Sequence, residues 1–151
     1  LAEDVADMRF RLDGAKPGAG PWDVKNIVGG LTDIAFICQY LALRAGNRCG
    51  RAPRGVVEAL LWFAKAGELA QEDAELLMSA HRLFEAVLQT SRAATGGVFS
   101  PDNAGEALCV RMASVCGEQT VAEAERTLLR HEAQVAALFA RIVGERRARQ
   151  R

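Results

Sequence analysis

Apolar residues recur along the chain at spacings of three and four rather than two, which predicts amphipathic helices joined by short loops. A first helix is expected over Glu3 to Leu12, with Val5, Met8 and Leu12 on one face, ending at Asp13-Gly14. The stretch from Lys16 to Pro21 reads as loop. From Trp22 to Val28 the pattern alternates weakly, as in a short extended segment (Trp22, Val24 and Ile27 in; Asp23, Lys25 and Asn26 out).

A helix is predicted from Gly30 to Arg44 or Ala45. Ile34, Ile37, Cys38 and Leu41 form one stripe, and Phe36, Tyr40 and Leu43 a second. Apolar on two sides, it is expected to be the central, most buried helix, ending at Gly46-Asn47 in a left-handed cap. A basic loop, Cys49 to Pro53, precedes a helix from Arg54 to Ala66 whose face is Val56, Val57, Leu60, Leu61 and Ala64. A longer helix runs from Gln71 to Ala94 on Leu76, Leu77, Ala80, Leu83, Phe84, Val87 and Leu88, stopped by Gly96-Gly97. Ser100-Pro101 is read as the start of a helix reaching Cys116. Thr120 and Glu123 form a capping box, opening a last helix with a seam of Val121, Ala124, Leu128, His131, Val135, Leu138 and Ile142. Connections this short favour antiparallel neighbours, so the expected fold is all-α, an antiparallel bundle of five or six helices.

Composition narrows the class of function. Nineteen basic residues balance nineteen acidic ones, so no global field draws in nucleic acid or an anionic membrane. The longest near-apolar run, Ile34 to Leu43, is too short to span a bilayer. The four cysteines make no C-x-x-C pair and the two histidines lie far apart in sequence, a poor match to a zinc site. Cys38, Cys109 and Cys116 are expected to pack as small hydrophobes in a reducing cytoplasm. His131 is expected to be a packed or rim residue of its seam, His81 to sit at the surface or half-buried, and Trp22 to pin its loop to the helices. The chain has no phosphate-binding G-x-x-x-x-G-K-[ST] or G-x-G-x-x-G loop and no assignable catalytic triad.

The candidate site is the polar cluster around the double glycine: Asp23, Lys25, Gly29, Gly30 and Asp33. The glycines allow a sharp turn, and a helix beginning at Gly30 offers N–H groups toward an anion, with Lys25 adding positive charge. The plainer reading is a helix start in which Asp33 complements the macrodipole and Lys25 pairs with Asp23 or Asp33.

Met8-Arg9 followed by PWDVKNIVGGLTDIAFICQYLAL resembles the helical domain of the bifunctional glutamine synthetase adenylyltransferases, and more distantly that of the protein PII uridylyltransferases. The pattern is a D-x-K segment, Gly-Gly, D-[IV]-E-F and Q-Y-L, met here by Asp23, Lys25, Gly29, Gly30, Asp33, Ile34, Phe36, Gln39, Tyr40 and Leu41. AGELAQEDAELLMSAHRLFEAVLQ is similar to a later A-G-x-[IL], D-A-x-x-L segment. One departure stands out: Ala35 occupies the glutamate position of D-[IV]-E-F.

The resemblance implies a fragment without the catalytic aspartates, which would precede Leu1. Residues 1–20 would be a connector from a nucleotidyltransferase domain, 21–144 the bundle, and 145–151 a frayed basic tail. The parent enzyme would use ATP and magnesium, and its partners would be glutamine synthetase and the PII signal protein. The bundle would bind neither nucleic acid nor membrane and would serve inter-domain and partner contacts. The alternative from another class is a free-standing interaction or dimerisation module using the last helix's seam as a zipper.

Overall fold

In the computed structural model, residues 4, 7, 8, 20–51 and 53–144 are described. Asp4, Asp7 and Met8 are helical; the rest of the expected first helix and the basic tail lie outside the described residues. Among the described residues, five α-helices follow in chain order: α1 (Leu31–Ala45), α2 (Val56–Lys65), α3 (Gln71–Thr95), α4 (Glu106–Val115) and α5 (Val121–Phe139). Two short 3-10 segments, Gly46–Cys49 and Pro101–Asn103, and a terminal π-turn, Ala140–Gly144, complete the order. Among the described residues there is no strand.

Helix α1 is the central element, as its doubled stripe predicts. Ile34, Ile37 and Leu41 are fully buried, and Phe36 and Tyr40 nearly so, where α1 packs against α2, α3 and α5. Leu43 departs from the second stripe and is 53% exposed. In α2 the buried face is Ala59, Leu60 and Phe63, and Leu61 points outward. The bulk of Phe63 wins the inward position. A fully buried aromatic removes more apolar surface from water than a leucine at the face's edge.

Helix α3 follows its predicted period, burying Leu77, Ala80, Phe84 and Val87. It stops where Gly96 adopts φ 71° and ψ 0° and donates its N–H to the Arg92 carbonyl at 2.9 Å, a left-handed cap that glycine takes without steric cost. The single helix expected from Ser100 to Cys116 is instead two pieces, the 3-10 turn at Pro101–Asn103 and α4 from Glu106. Ala104 is extended, at φ −96° and ψ 145°, which breaks the α-helical run before Gly105.

The capping box is present at α5. Glu123 N–H donates to Thr120 Oγ1 at 3.2 Å, and Thr120 N–H donates back to the Glu123 carboxylate at 3.1 Å. The seam of α5 is spent inside the chain: Ala124, Leu128 and Val135 are fully buried and Leu138 nearly so. No zipper face remains on those positions. Cys38 and Cys109 are half-buried and Cys116 buried, all three as free thiols. Burial pushes the Cys38 thiol up to about 12 and Cys116 to about 11, so both stay protonated and unreactive at neutral pH.

Candidate functional site: the turn before the central helix

The segment from Trp22 to Gly30 is a series of turns rather than an extended strand. The backbone shows why. The Asp23 carbonyl accepts from both Asn26 N–H and Ile27 N–H, at 3.0 and 2.9 Å, and the Ile27 carbonyl accepts from Gly30 N–H at 2.9 Å. The chain thus folds back on itself, and alternation in this stretch reflects which side chains the turns send inward.

The same turns close the start of α1. Leu31 N–H donates to the Val24 carbonyl at 2.8 Å and Thr32 N–H to the Lys25 carbonyl at 3.2 Å. Thr32 Oγ1 also donates to the Lys25 carbonyl, at 2.7 Å. Gly29 N–H donates to Asp33 Oδ2 at 2.6 Å in a buried contact. The donors that a free helix end would turn toward an external anion are therefore taken by the chain. The anion at this end is the chain's own Asp33, in the first turn of α1 and 2% exposed.

Both glycines are required by contact. A Cβ built on Gly29 falls 1.9 Å from the Glu132 carbonyl oxygen of α5, and Gly29 has φ +82°. A Cβ on Gly30 falls 2.3 Å from the Val24 carbonyl oxygen. The turn presses its backbone onto the backbone of α5, an approach open only to glycine.

Trp22 clamps the turn from the other side. Its Nε1 donates to Glu125 Oε2 at 3.0 Å, and its ring meets Phe99 edge-on at 4.7 Å between centroids. The expected pinning role holds. Trp22, Phe99, Pro101 and Leu129 contribute to a groove of about 940 Å³.

The predicted cluster divides in two. Asp23, Gly29, Gly30 and Asp33 are all buried, and Asn26 Nδ2 donates to the Asp23 carboxylate at 3.2 Å. Lys25 is exposed and lines a groove of about 340 Å³ with Ala35, His81 and Arg92. Ala35, at the glutamate position of D-[IV]-E-F, is exposed on the wall of that groove. His131 packs as expected: it is half-buried, its Nδ1 lies 2.8 Å from the Thr127 carbonyl, and its ring meets Phe84 edge-on. Among the described residues, no three His, Cys, Asp or Glu side chains converge to hold a metal ion.

Sequence reading missed Glu132. It is 4% exposed, directly behind Gly29, and its Oε1 has no hydrogen-bond partner. Burial, reinforced by the nearby Glu125 charge, pushes its carboxyl up to about 8, so it is protonated at neutral pH. The signal was faint: Glu132 lies between Leu128 and Val135 beside His131, on the edge of the apolar seam.

No protein-family model matches the chain, and no solved structure matches it. Curated relatives do. The chain is 32% identical over 145 residues to the "Bifunctional glutamine synthetase adenylyltransferase/adenylyl-removing enzyme" of Rhodopseudomonas palustris strain HaA2, covering 95% of this chain and 15% of that protein. Its counterpart in strain BisB5 is 33% identical over 148 residues, with the same coverage of both chains. The protein of that name from Bradyrhizobium diazoefficiens is 37% identical over 106 residues, 70% of this chain and 11% of the relative. The chain thus spans about 15% of the length of the first two relatives.

Proposed function

The chain is homologous, along 95% of its length, to a domain-sized stretch of the bifunctional glutamine synthetase adenylyltransferase/adenylyl-removing enzymes, and from that premise we propose that it is the helical domain following the adenylylating nucleotidyltransferase domain of such an enzyme. In this reading the five helices form an antiparallel bundle that positions the catalytic cleft. The bundle offers surfaces to glutamine synthetase and to the PII signal protein in the cytoplasm, and the catalytic domain supplies ATP and magnesium binding.

One observation carries the reading: the match takes nearly the whole chain yet only 15% of the relatives. The activities in those names belong to those proteins as wholes. Within the site, Lys25 is the exposed member of the set, which supports it as the member that meets another domain. Asp23, Gly29, Gly30 and Asp33 hold the turn that presents it.

The test is a calorimetric titration of the chain against the separately expressed nucleotidyltransferase domain, alongside an assay for AMP transfer to glutamine synthetase. Binding weakened by Lys25→Ala, with no transfer by the chain alone, is expected. Transfer of AMP by the 151-residue chain on its own would overturn the proposal.

A further inference from the structure

Among the described residues, three acidic side chains are buried: Asp23, Asp33 and Glu132. Two belong to the turn and the helix it opens. Asp23 accepts from Asn26, and Asp33 from Gly29 N–H. Glu132 belongs to α5 and is 4% exposed, yet its Oε1 has no hydrogen-bond partner. A carboxylate in that position would be desolvated without compensation, so burial favours the neutral acid.

The turn lies directly on this residue. A Cβ on Gly29 would fall 1.9 Å from the Glu132 carbonyl oxygen and 3.0 Å from its Cα, so main chain rests on main chain. The turn is bonded to itself and to α1. Asn26, Ile27 and Gly30 N–H stay within it, and Leu31 and Thr32 N–H reach back to it from α1. Its described hydrogen bond to α5 is Trp22 Nε1 to Glu125, at 3.0 Å. Parting from α5 therefore leaves the bonds within the turn and to α1 intact. What is lost is the Trp22 hydrogen bond, its edge contact with Phe99 and the packing at Gly29.

The groups around Glu132 do not steady an anion there. Among the described residues none of the ion pairs involves it. Glu125, two helical turns earlier on α5, adds a like charge. Helices α3 and α4, which pack on α5, bury no charged residue, and His131 turns its ring to Phe84 of α3. On the terminal π-turn, Arg141 is held by Asp73 at 2.8 Å. From the turn and α1 the buried charged groups are the acids Asp23 and Asp33, while Lys25 is exposed. Burial first, then the Glu125 charge, pushes the Glu132 carboxyl up to about 8.

We propose that Glu132 and the turn form a proton-dependent latch: with Glu132 neutral the turn from Trp22 to Gly30 is seated on α5, and loss of the proton lifts the turn from α5 while the helices stay folded. The lifted surface carries Lys25 and uncovers Trp22, which is 5% exposed when seated. Once the turn has parted, Glu132 meets water and titrates as an ordinary carboxyl. Between that ordinary value and the seated one, the parted state binds one proton fewer. Parting therefore becomes about tenfold more favourable per pH unit across that window and levels off above about pH 8. The latch stands independently of which enzyme the chain comes from.

The experiment follows exchange of the Trp22 indole N–H in the isotope-labelled 151-residue chain from about pH 5 to about pH 9. Wild type is compared with Glu132→Gln, which keeps the shape and cannot ionise. The ratio of the two rates at each pH cancels the intrinsic pH dependence of exchange. It should climb by about tenfold per pH unit and flatten above about pH 8. Low urea separates parting from unfolding. The Trp22 rate should ignore urea below the unfolding transition, whereas the core amides of α3 exchange more slowly and speed up with urea. A carboxyl-carbon label on the glutamates reads Glu132 itself, with one signal expected to titrate near 8. The urea and carboxyl measurements need wild-type protein only. A rate ratio flat with pH, Trp22 exchange that rises with urea together with the α3 core, or every glutamate signal titrating near the ordinary value of about 4.3 would each overturn the proposal.

Discussion

Helices α1 and α5 each begin with a carboxylate answering backbone N–H groups, and they do so by different means. At α5 the device is local and solvent-facing: Thr120 and Glu123 exchange hydrogen bonds within four residues. At α1 it is buried and borrowed. Asp33 reaches back to Gly29 N–H, the preceding turn supplies the Val24 and Lys25 carbonyls, and all of it is pressed onto the backbone of α5 at Glu132. The first is a property of a short peptide. The second is also packed against a part of the chain a hundred residues away, the α5 backbone at Glu132. A local cap is therefore expected to be modest in worth and separable from the fold, and a tertiary one large and inseparable from it.

The sharpest way to break this contrast is Gly29→Ala. The new methyl would collide with main-chain atoms that no rotamer can move, at a positive φ as well, and a loss of about 3 kcal/mol or more is expected in urea denaturation. A loss under about 1 kcal/mol would mean that the turn does not press on α5 as described. Asp33→Ala should follow, at about 2–3 kcal/mol, because a buried N–H loses a charge-assisted partner. Hydrogen exchange at Gly29 should rise with it.

Glu132 tests the same contact through pH. Its folded pKa, about 8, lies above the unfolded value of about 4.3. Between those values the folded state keeps a proton that the unfolded state has released. Stability from this group is therefore full below about pH 4 and declines as pH rises toward about 8. Glu132→Gln should remove that component, so that variant minus wild-type stability grows by about 3.5 kcal/mol from pH 5 to pH 8. Parallel curves would show that Glu132 is solvated. Thr120→Ala comes last, with an expected loss of about 1 kcal/mol and no change at Gly29. Equal losses for Thr120→Ala and Asp33→Ala would erase the distinction between the two helix starts.

The candidate site was half legible in sequence. Asp23, Lys25, Gly29, Gly30 and Asp33 were singled out because paired glycines and flanking charges before an apolar run are a local signal. Their division into a buried quartet and one exposed lysine was not. Nor was the company Lys25 keeps, since Arg92 and His81 lie on α3, more than fifty residues away in sequence. Glu132 was hidden because a glutamate near an apolar seam has the same local pattern as one on the rim.

By itself the sequence determined what depends on neighbours three or four residues apart. That includes the helical periods of α1, α3 and α5, the Thr120 capping box, the stop of α3 at Gly96, and the family likeness carried by the segment from Pro21 to Leu43. Tertiary structure decided the rest. It chose which face of α2 turns inward, made Trp22 to Gly30 a set of turns, required glycine at position 29, and left Glu132 protonated. Periodicity records where apolar groups lie along one element, whereas burial, close backbone approach and pKa depend on what the other elements bring against it.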